Sequence, residues 1–197
     1  MITIIDYGSG NLRSIQKSVQ RFYPKVIISR DLALIEKSKG LILPGVGAFG
    51  DAVKELEQYG LFYPLKDIIE TVPTMGICLG MQLLFSNSEE SPDVNGLDII
   101  PGKVTKLDSY QSIRIPHTGW NRLIPSSKPY FYGYVYFNHS YYCDPDDKNY
   151  IISYVNHGIS IPVIILKDHI IAAQFHPEKS QNAGDRIINY FISLIKR

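Results

Sequence analysis

Apolar and polar positions alternate in blocks along the first half of this chain. Residues 2–6, 26–29 and 41–44 are short, apolar and largely β-branched, the pattern of strands buried on both faces. Residues 11–22, 51–59 and 61–70 carry apolar side chains at three- and four-residue spacing, which predicts amphipathic helices. A fourth apolar strand over 74–77 runs directly into a helix over 79–85. Strand–helix alternation of this kind predicts an α/β fold with a mostly parallel sheet flanked by helices. Ligands in such sheets bind beyond the carboxyl ends of the strands. Loops 7–11 and 45–50, together with residue 78, therefore belong to one functional edge.

From Gly102 onward the pattern becomes strand-rich. Residues 130–137 are the clearest case, with Tyr130, Tyr132, Tyr134 and Tyr136 on one face and Phe131, Val135 and Phe137 on the other. Residues 151–155, 161–166 and 170–175 continue the β character, and 185–195 closes as an amphipathic helix. Cross-strand packing accounts for Tyr130 to Tyr134. There is no linker, repeat or low-complexity tract, so one domain over residues 1–197 is expected. At 197 residues and 45% hydrophobic content, one chain of this size can bury a real core.

Charge and cysteine usage narrow the functional classes. A formal net charge of +1, with Lys and Arg spread out, gives no electrostatic case for nucleic acid. No apolar run approaches the ~20 residues of a membrane span, and no basic-then-apolar leader precedes the first strand. Two distant cysteines offer neither a disulfide framework nor a metal-ligand spacing, which fits a reducing cytoplasm. No metal or cofactor is expected.

The chemistry concentrates at Gly76-Ile77-Cys78-Leu79-Gly80-Met81-Gln82, answered downstream by His176-Pro177-Glu178. Cys78 falls at a strand-to-helix turn, with glycines two before and two after it, as a sharp nucleophile elbow requires. A thiol opening a helix feels the positive end of its dipole, which favours thiolate. Pro177 pushes His176 into extended backbone, where residues two apart point the same way. Glu178 is then expected beside His176, fixing its tautomer while His176 serves as base to Cys78. Cys143, His157 and His169 lack any comparable setting and are read as structural. Pro44-Gly45-Val46-Gly47 is neither a dinucleotide fingerprint nor a P-loop. Beside Cys78 it offers an N–H, from Val46 or Gly47, that can join that of Leu79 as an oxyanion hole. Glycine on both sides of Val46 lets that peptide reorient at low cost, so the hole is expected to be switchable.

These motifs resemble the class I (triad) glutamine amidotransferases. The remaining segments narrow the likeness: Asp6-Tyr7-Gly8-Ser9-Gly10-Asn11-Leu12, the Leu43–Asp51 loop, Pro116-His117-Thr118-Gly119-Trp120-Asn121, Phe137-Asn138-His139-Ser140-Tyr141 and Phe175–Gln181. The set is similar to the glutaminase subunits of imidazole glycerol phosphate synthase, along the whole chain. The resemblance implies Gln82, Glu90, Ser140 and Tyr141 as residues that hold L-glutamine. It also implies a heterodimer with a (β/α)₈-barrel cyclase that takes the ammonia, seated on a rim that includes Tyr136 and Lys179. The cyclase would make imidazole glycerol phosphate and an aminoimidazole carboxamide ribonucleotide, in histidine biosynthesis. Thr118 and Asn138 depart from the family pattern, at positions expected to be apolar. They leave open a paralogue that feeds an acetamidino-sugar synthase. An autonomous thiol hydrolase and a non-catalytic binding subunit are the further alternatives, and the intact Cys78, His176 and Glu178 argue against the last.

Overall fold

In the computed structural model, which describes residues 1–108, 113–126 and 130–196, the first half lays down four parallel strands. These are β1 (Ile2–Ile5), β2 (Val26–Ser29), β3 (Gly40–Leu43) and β4 (Thr74–Ile77). Their near-continuous apolar sequence has the expected cause, since both faces are covered. Ile2, Ile4, Ile42, Met75 and Ile77 join one buried cluster, and Ile5, Leu41 and Leu43 join the other. The helices α1 (Leu12–Gln20) and α6 (Gln181–Ile195) close the first face through Ile15, Val19, Ile187 and Phe191. The helices α3 (Phe49–Gln58) and α4 (Phe62–Ile69) close the second through Phe49, Val53, Leu56 and Leu65. A short α2 (Leu32–Glu36), too brief to leave a periodic signal, adds Ile35 to that face.

The remaining elements, numbered in chain order, build outward from this core. The helix α5 (Leu79–Leu83) follows β4 directly. Strands β5 (Phe85–Ser88), β6 (Ile100–Lys106) and β10 (Tyr141–Pro145) form a separate three-stranded sheet. Strands β7 (His117–Arg122) and β9 (Tyr134–His139) pair antiparallel. The main sheet runs on through β13 (Ile170–Ala173), parallel to β4, then antiparallel through β12 (Ile159–Lys167), β11 (Ile151–His157) and β8 (Ile124–Pro125). The sheet is thus mostly parallel with an antiparallel edge. Among the described residues no helix is long and apolar enough to cross a membrane.

Three boundaries differ from the sequence reading, each for a local reason. The helix expected over 79–85 stops at Leu83, because the loop ahead of β6 takes its last carbonyls. Leu97 N–H donates to Leu83 O at 2.8 Å, and Ile100 N–H to Leu84 O at 2.9 Å. The strand expected over 130–137 starts only at Tyr134, after Gly133 turns the chain at φ 109°, and runs on to His139. Its in–out alternation survives upstream of that turn, with Phe131 buried between exposed Tyr130 and Tyr132. The last helix begins at Gln181, one turn earlier than its apolar stripe suggests. Gly184 makes this possible: a Cβ there would lie 2.0 Å from Pro177 O.

Candidate active site

Cys78 ends β4 and opens α5 at φ 53°, ψ −111°, a conformation that costs a non-glycine residue free energy. The surrounding backbone holds it there. Cys78 N–H donates to Ala173 O at 2.8 Å, and Cys78 O accepts from Met81 N–H at 3.0 Å. Both flanking glycines are required by close approach. A Cβ on Gly76 would stand 2.9 Å from Met81 Cα, and one on Gly80 would stand 1.8 Å from Leu43 O. The elbow is therefore built as the sequence predicts. The helix behind it is only five residues long, so its electrostatic help comes from first-turn N–H groups rather than from a long dipole.

His176 reaches the same point from the end of β13, with its N–H held by Tyr136 O at 3.0 Å. It is extended, as the following proline demands, at φ −94°, ψ 100°. Glu178 arrives by a different route from the one expected. Pro177–Lys179 is a 3-10 turn, not extended chain, and this turn swings the carboxylate back to the imidazole. His176 Nδ1 lies 3.0 Å from Glu178 Oε1, with the two side chains 7% and 2% exposed. Glu178 Oε2 is buried without a hydrogen-bond partner among the described residues.

Burial alone would depress the basicity of His176, but hydrogen bonds to Cys78 and then Glu178 outweigh it and push its pKa up to about 9. The imidazole therefore holds a proton at neutral pH while the sulfur faces it. That stabilisation is fully present below the ordinary histidine pKa of 6.5 and is lost as pH rises toward 9.

The cleft in front of Cys78 has a volume of about 260 Å³ and is lined by Val46, Gly47, Leu79, Gln82, Glu90, Pro116, Asn138, His139, Ser140, Tyr141 and His176. It thus brings together the expected oxyanion and substrate residues. Three of them carry unexpected commitments. Gln82 is only 4% exposed, and its side-chain amide donates to Tyr141 O and to Gln174 Oε1, each at 3.3 Å. Glu90 Oε2 accepts from Phe49 N–H at 2.7 Å, opening α3. Val46 N–H donates to Ser9 Oγ at 3.2 Å, and the same hydroxyl donates to Val46 O. Gly47 has a φ of 105°, in the left-handed region that favours glycine. Tyr136 and Lys179 lie outside this cleft and pair with each other, the ammonium 5.3 Å from the ring centroid.

Several site residues carried no readable signal in the sequence. Ser9 meets Val46 only because β1 and β3 are neighbours. Gln174 is fully buried within an apolar run and directs Nε2 at Cys78 Sγ, 3.8 Å away. His139 lines the cleft and makes a directional chain with His117. Asn121 Nδ2 donates to His117 Nε2 (3.3 Å), so His117 Nδ1 donates to His139 Nε2 (3.0 Å) and His139 Nδ1 to Tyr141 O (2.8 Å). Burial keeps both rings neutral, at pKa values of about 4 for His117 and about 3 for His139. The two departures from the family pattern turn out to be one feature. Thr118 and Asn138 face each other across β7 and β9, and Thr118 Oγ1 donates to Asn138 Oδ1 at 3.0 Å. His169 Nε2 donates to Ile69 O at 2.9 Å, outside the site, and Cys143 is wholly buried.

The family model for "Glutamine amidotransferase class-I" matches residues 3–193. The chain belongs to the class-I glutamine amidotransferases. Relatives within the family match from end to end. "Imidazole glycerol phosphate synthase subunit HisH" of Caldanaerobacter subterraneus subsp. tengcongensis is 44% identical, over 100% of this chain and 99% of the relative. "Imidazole glycerol phosphate synthase subunit HisH 1" of Methanococcus maripaludis is 42% identical, over 99% and 100% respectively. A solved structure titled "Crystal structure of glutamine amidotransferase" superposes with a TM-score of 0.81 at 18% identity, covering 100% of both chains, and shows the shared fold. This class-I amidotransferase is an enzyme: its cleft presents the thiol and imidazole that amide hydrolysis needs, and the Glu178 carboxylate pairs with that imidazole.

The roles of the three groups separate by mutation. His176→Ala should lower glutamine turnover by roughly 10²–10⁴-fold, the usual worth of a general base. Glu178→Gln should lose measurably less, since it disturbs the orientation and charge of the base but leaves the imidazole in place. Steady-state glutamate release by the two variants checks this. An equal or larger loss in Glu178→Gln would mean that the carboxylate does more than orient His176.

Proposed function

We propose that this enzyme is the glutaminase subunit of an imidazole glycerol phosphate synthase. In this reading it hydrolyses L-glutamine and passes the ammonia to a (β/α)₈-barrel cyclase, in the cytoplasm, where both its thiols stay free. The observation that carries the chemistry is the buried His176–Glu178 pair, 3.0 Å apart, behind an elbow that presents Cys78 to a cleft. The full-length likeness to two HisH subunits at 42–44% identity supports the pathway.

The reaction follows from these groups. Cys78 thiolate attacks the side-chain amide carbon of glutamine, while Leu79 N–H and a Val46 or Gly47 N–H collect the oxyanion charge. His176 gives its proton to the leaving nitrogen, which departs as ammonia. The resulting γ-glutamyl thioester no longer carries the charged sulfur that raised the imidazole's basicity. With both Cys78 contributions gone the imidazole is less basic than before, and the neutral His176 deprotonates the water that releases glutamate. Glu90, Ser140 and Tyr141 hold the α-ammonium and α-carboxylate, and Gln82 faces the substrate with its carbonyl oxygen because its N–H groups are committed elsewhere.

The Ser9–Val46 contact supports a gate. With its N–H given to Ser9, Val46 has no donor to offer an oxyanion, so a rotation of that peptide would be needed for full activity. The rim supports a partner's seat: Lys179 and Tyr136 stand beside Trp120, Tyr132 and Tyr134, which are 50%, 53% and 61% exposed. Contiguous exposed aromatics of this kind mark protein–protein surfaces.

A hydrogen bond such as Ser9–Val46 is worth ~0.5–1.5 kcal/mol net, or roughly a two- to ten-fold bias. Ser9→Ala should therefore raise glutamate release by the isolated chain by about that factor, with little change once partner and ligand are bound. An unchanged basal rate would remove Ser9 from the gate. The pathway is tested by offering the chain, with its native partner, either the histidine-pathway ribonucleotide or a nucleotide sugar. The ribonucleotide is expected to raise glutamine turnover by on the order of 100-fold, a coupling of roughly 2.7 kcal/mol. A response to the nucleotide sugar alone would assign the chain to a sugar-modifying complex instead.

A further inference from the structure

Behind the nucleophile a buried amide points at the reacting sulfur. Gln174 is fully buried in the segment that joins β13 to His176, with its main-chain N–H donating to Val163 O at 3.0 Å. Its Nε2 lies 3.8 Å from Cys78 Sγ, a hydrogen-bond distance for sulfur, and its Oε1 accepts from Gln82 Nε2 at 3.3 Å.

The polarity of this contact is forced by its neighbours. Tyr141 O is a carbonyl and can only accept. It faces Gln82 at 3.3 Å and His139 Nδ1 at 2.8 Å, and its two lone pairs serve both. Gln82 must therefore turn its NH₂ group toward Tyr141. The other hydrogen of that NH₂ group then points at Gln174, which must answer with its carbonyl oxygen. Only one orientation of Gln174 remains, and it aims an N–H at Cys78. A main-chain carbonyl on β10 thus fixes, through two glutamines, which atom the sulfur sees.

We propose that Gln174 is a catalytic residue, a fixed donor that stabilises the Cys78 thiolate, and that Gln82 is the positioning residue that aims it. This rests on the reading of Cys78 as the nucleophile. Hydrogen bonds to a charged partner are about twice as strong as neutral ones, so this donor favours thiolate over thiol. It also acts where His176 cannot. His176 must leave the sulfur to protonate the ammonia, whereas Gln174 stays on it throughout. The same donor supports the sulfur as a leaving group when water cleaves the thioester. It makes the second half of the reaction faster for the same reason as the first.

The test reads the sulfur directly and needs no glutamine. The rate of Cys78 alkylation by iodoacetamide is followed against pH, by mass spectrometry of the modified peptide, in the complete chain. Cys143 is fully buried, and Cys78→Ala supplies the blank. In Gln174→Met, which keeps the volume and removes the donor, the apparent pKa of alkylation should rise by about 1–2 units. Gln82→Met, which leaves the donor in place but unaimed, should shift it less and in the same direction. This second variant carries the test if Gln174→Met does not fold. Gln174→Met that folds cooperatively and alkylates with an unshifted pH profile would overturn the proposal, even if its glutamine turnover falls. A failure of the nucleophile reading would look different, since Cys78→Ala would then keep its glutaminase activity.

Discussion

Cys78→Ala is expected to lower glutamine hydrolysis by roughly 10³–10⁶-fold, the scale seen when an acting nucleophile is deleted. The loss should come without unfolding. Alanine keeps the Cβ and meets the φ of 53° no worse than cysteine does. What it removes is the acceptor of Gln174 Nε2, leaving a buried donor unsatisfied at a cost of about 1–3 kcal/mol. A cooperative thermal transition at a modestly lower temperature should therefore accompany near-total loss of glutamate release. The variant complex should still make product when free ammonia is supplied at high pH, because the partner then receives its nucleophile without the glutaminase. Substantial glutaminase activity in the folded variant would exclude the thioester mechanism.

Gly80→Ala is expected to lower turnover by roughly 10²-fold, although position 80 bears no functional group. Intrinsic helix propensity alone would favour alanine within α5 by ~1 kcal/mol. Sterics decide the other way. The new Cβ would stand 1.8 Å from Leu43 O, 2.5 Å from its carbonyl carbon and 2.8 Å from Pro44 O. These are backbone atoms at the end of β3 and cannot step aside as a flexible side chain would. Either α5 or the Pro44–Gly47 loop must move, at an overpacking cost of about 1–3 kcal/mol or more. Both carry the site, since one holds Cys78 and Leu79 and the other holds Val46 and Gly47. A displacement of ~1 Å between them can cost 10²-fold in rate. Chemical denaturation and turnover together check this. Wild-type turnover in Gly80→Ala would mean that the elbow and the oxyanion loop do not depend on their close approach.

What the sequence made legible follows the range of each signal. Strands β1 to β4 were readable because burial on both faces leaves unbroken apolar runs. The elbow was readable because its two glycines and its cysteine are local. Strands β5, β7 and β10 left no such run, with mixed polar sequences such as Phe-Ser-Asn-Ser and discontinuous burial. Helix α5 ended early because carbonyls were taken by residues 97–100, a contact that no propensity encodes. Glu178 was rightly placed at His176 for an incomplete reason: proline set the histidine, but a 3-10 turn delivered the carboxylate. Thr118 and Asn138 looked like two separate departures until register put them opposite each other. Ser9 and Gln174 were invisible for the same reason, because each acts on a residue more than thirty positions away.

The central claim is that Cys78 attacks glutamine in the cleft it shares with His176, and covalent capture of that event tests it most directly. A glutamine analogue with a chloroketone in place of the side-chain amide is incubated with the native chain and its partner, and the modified peptide is then mapped by mass spectrometry. The account predicts a single adduct on Cys78, loss of glutaminase activity in step with labelling, and protection by added glutamine. Labelling of Cys143 or of no cysteine, or full glutaminase activity in a chain already labelled at Cys78, would contradict it.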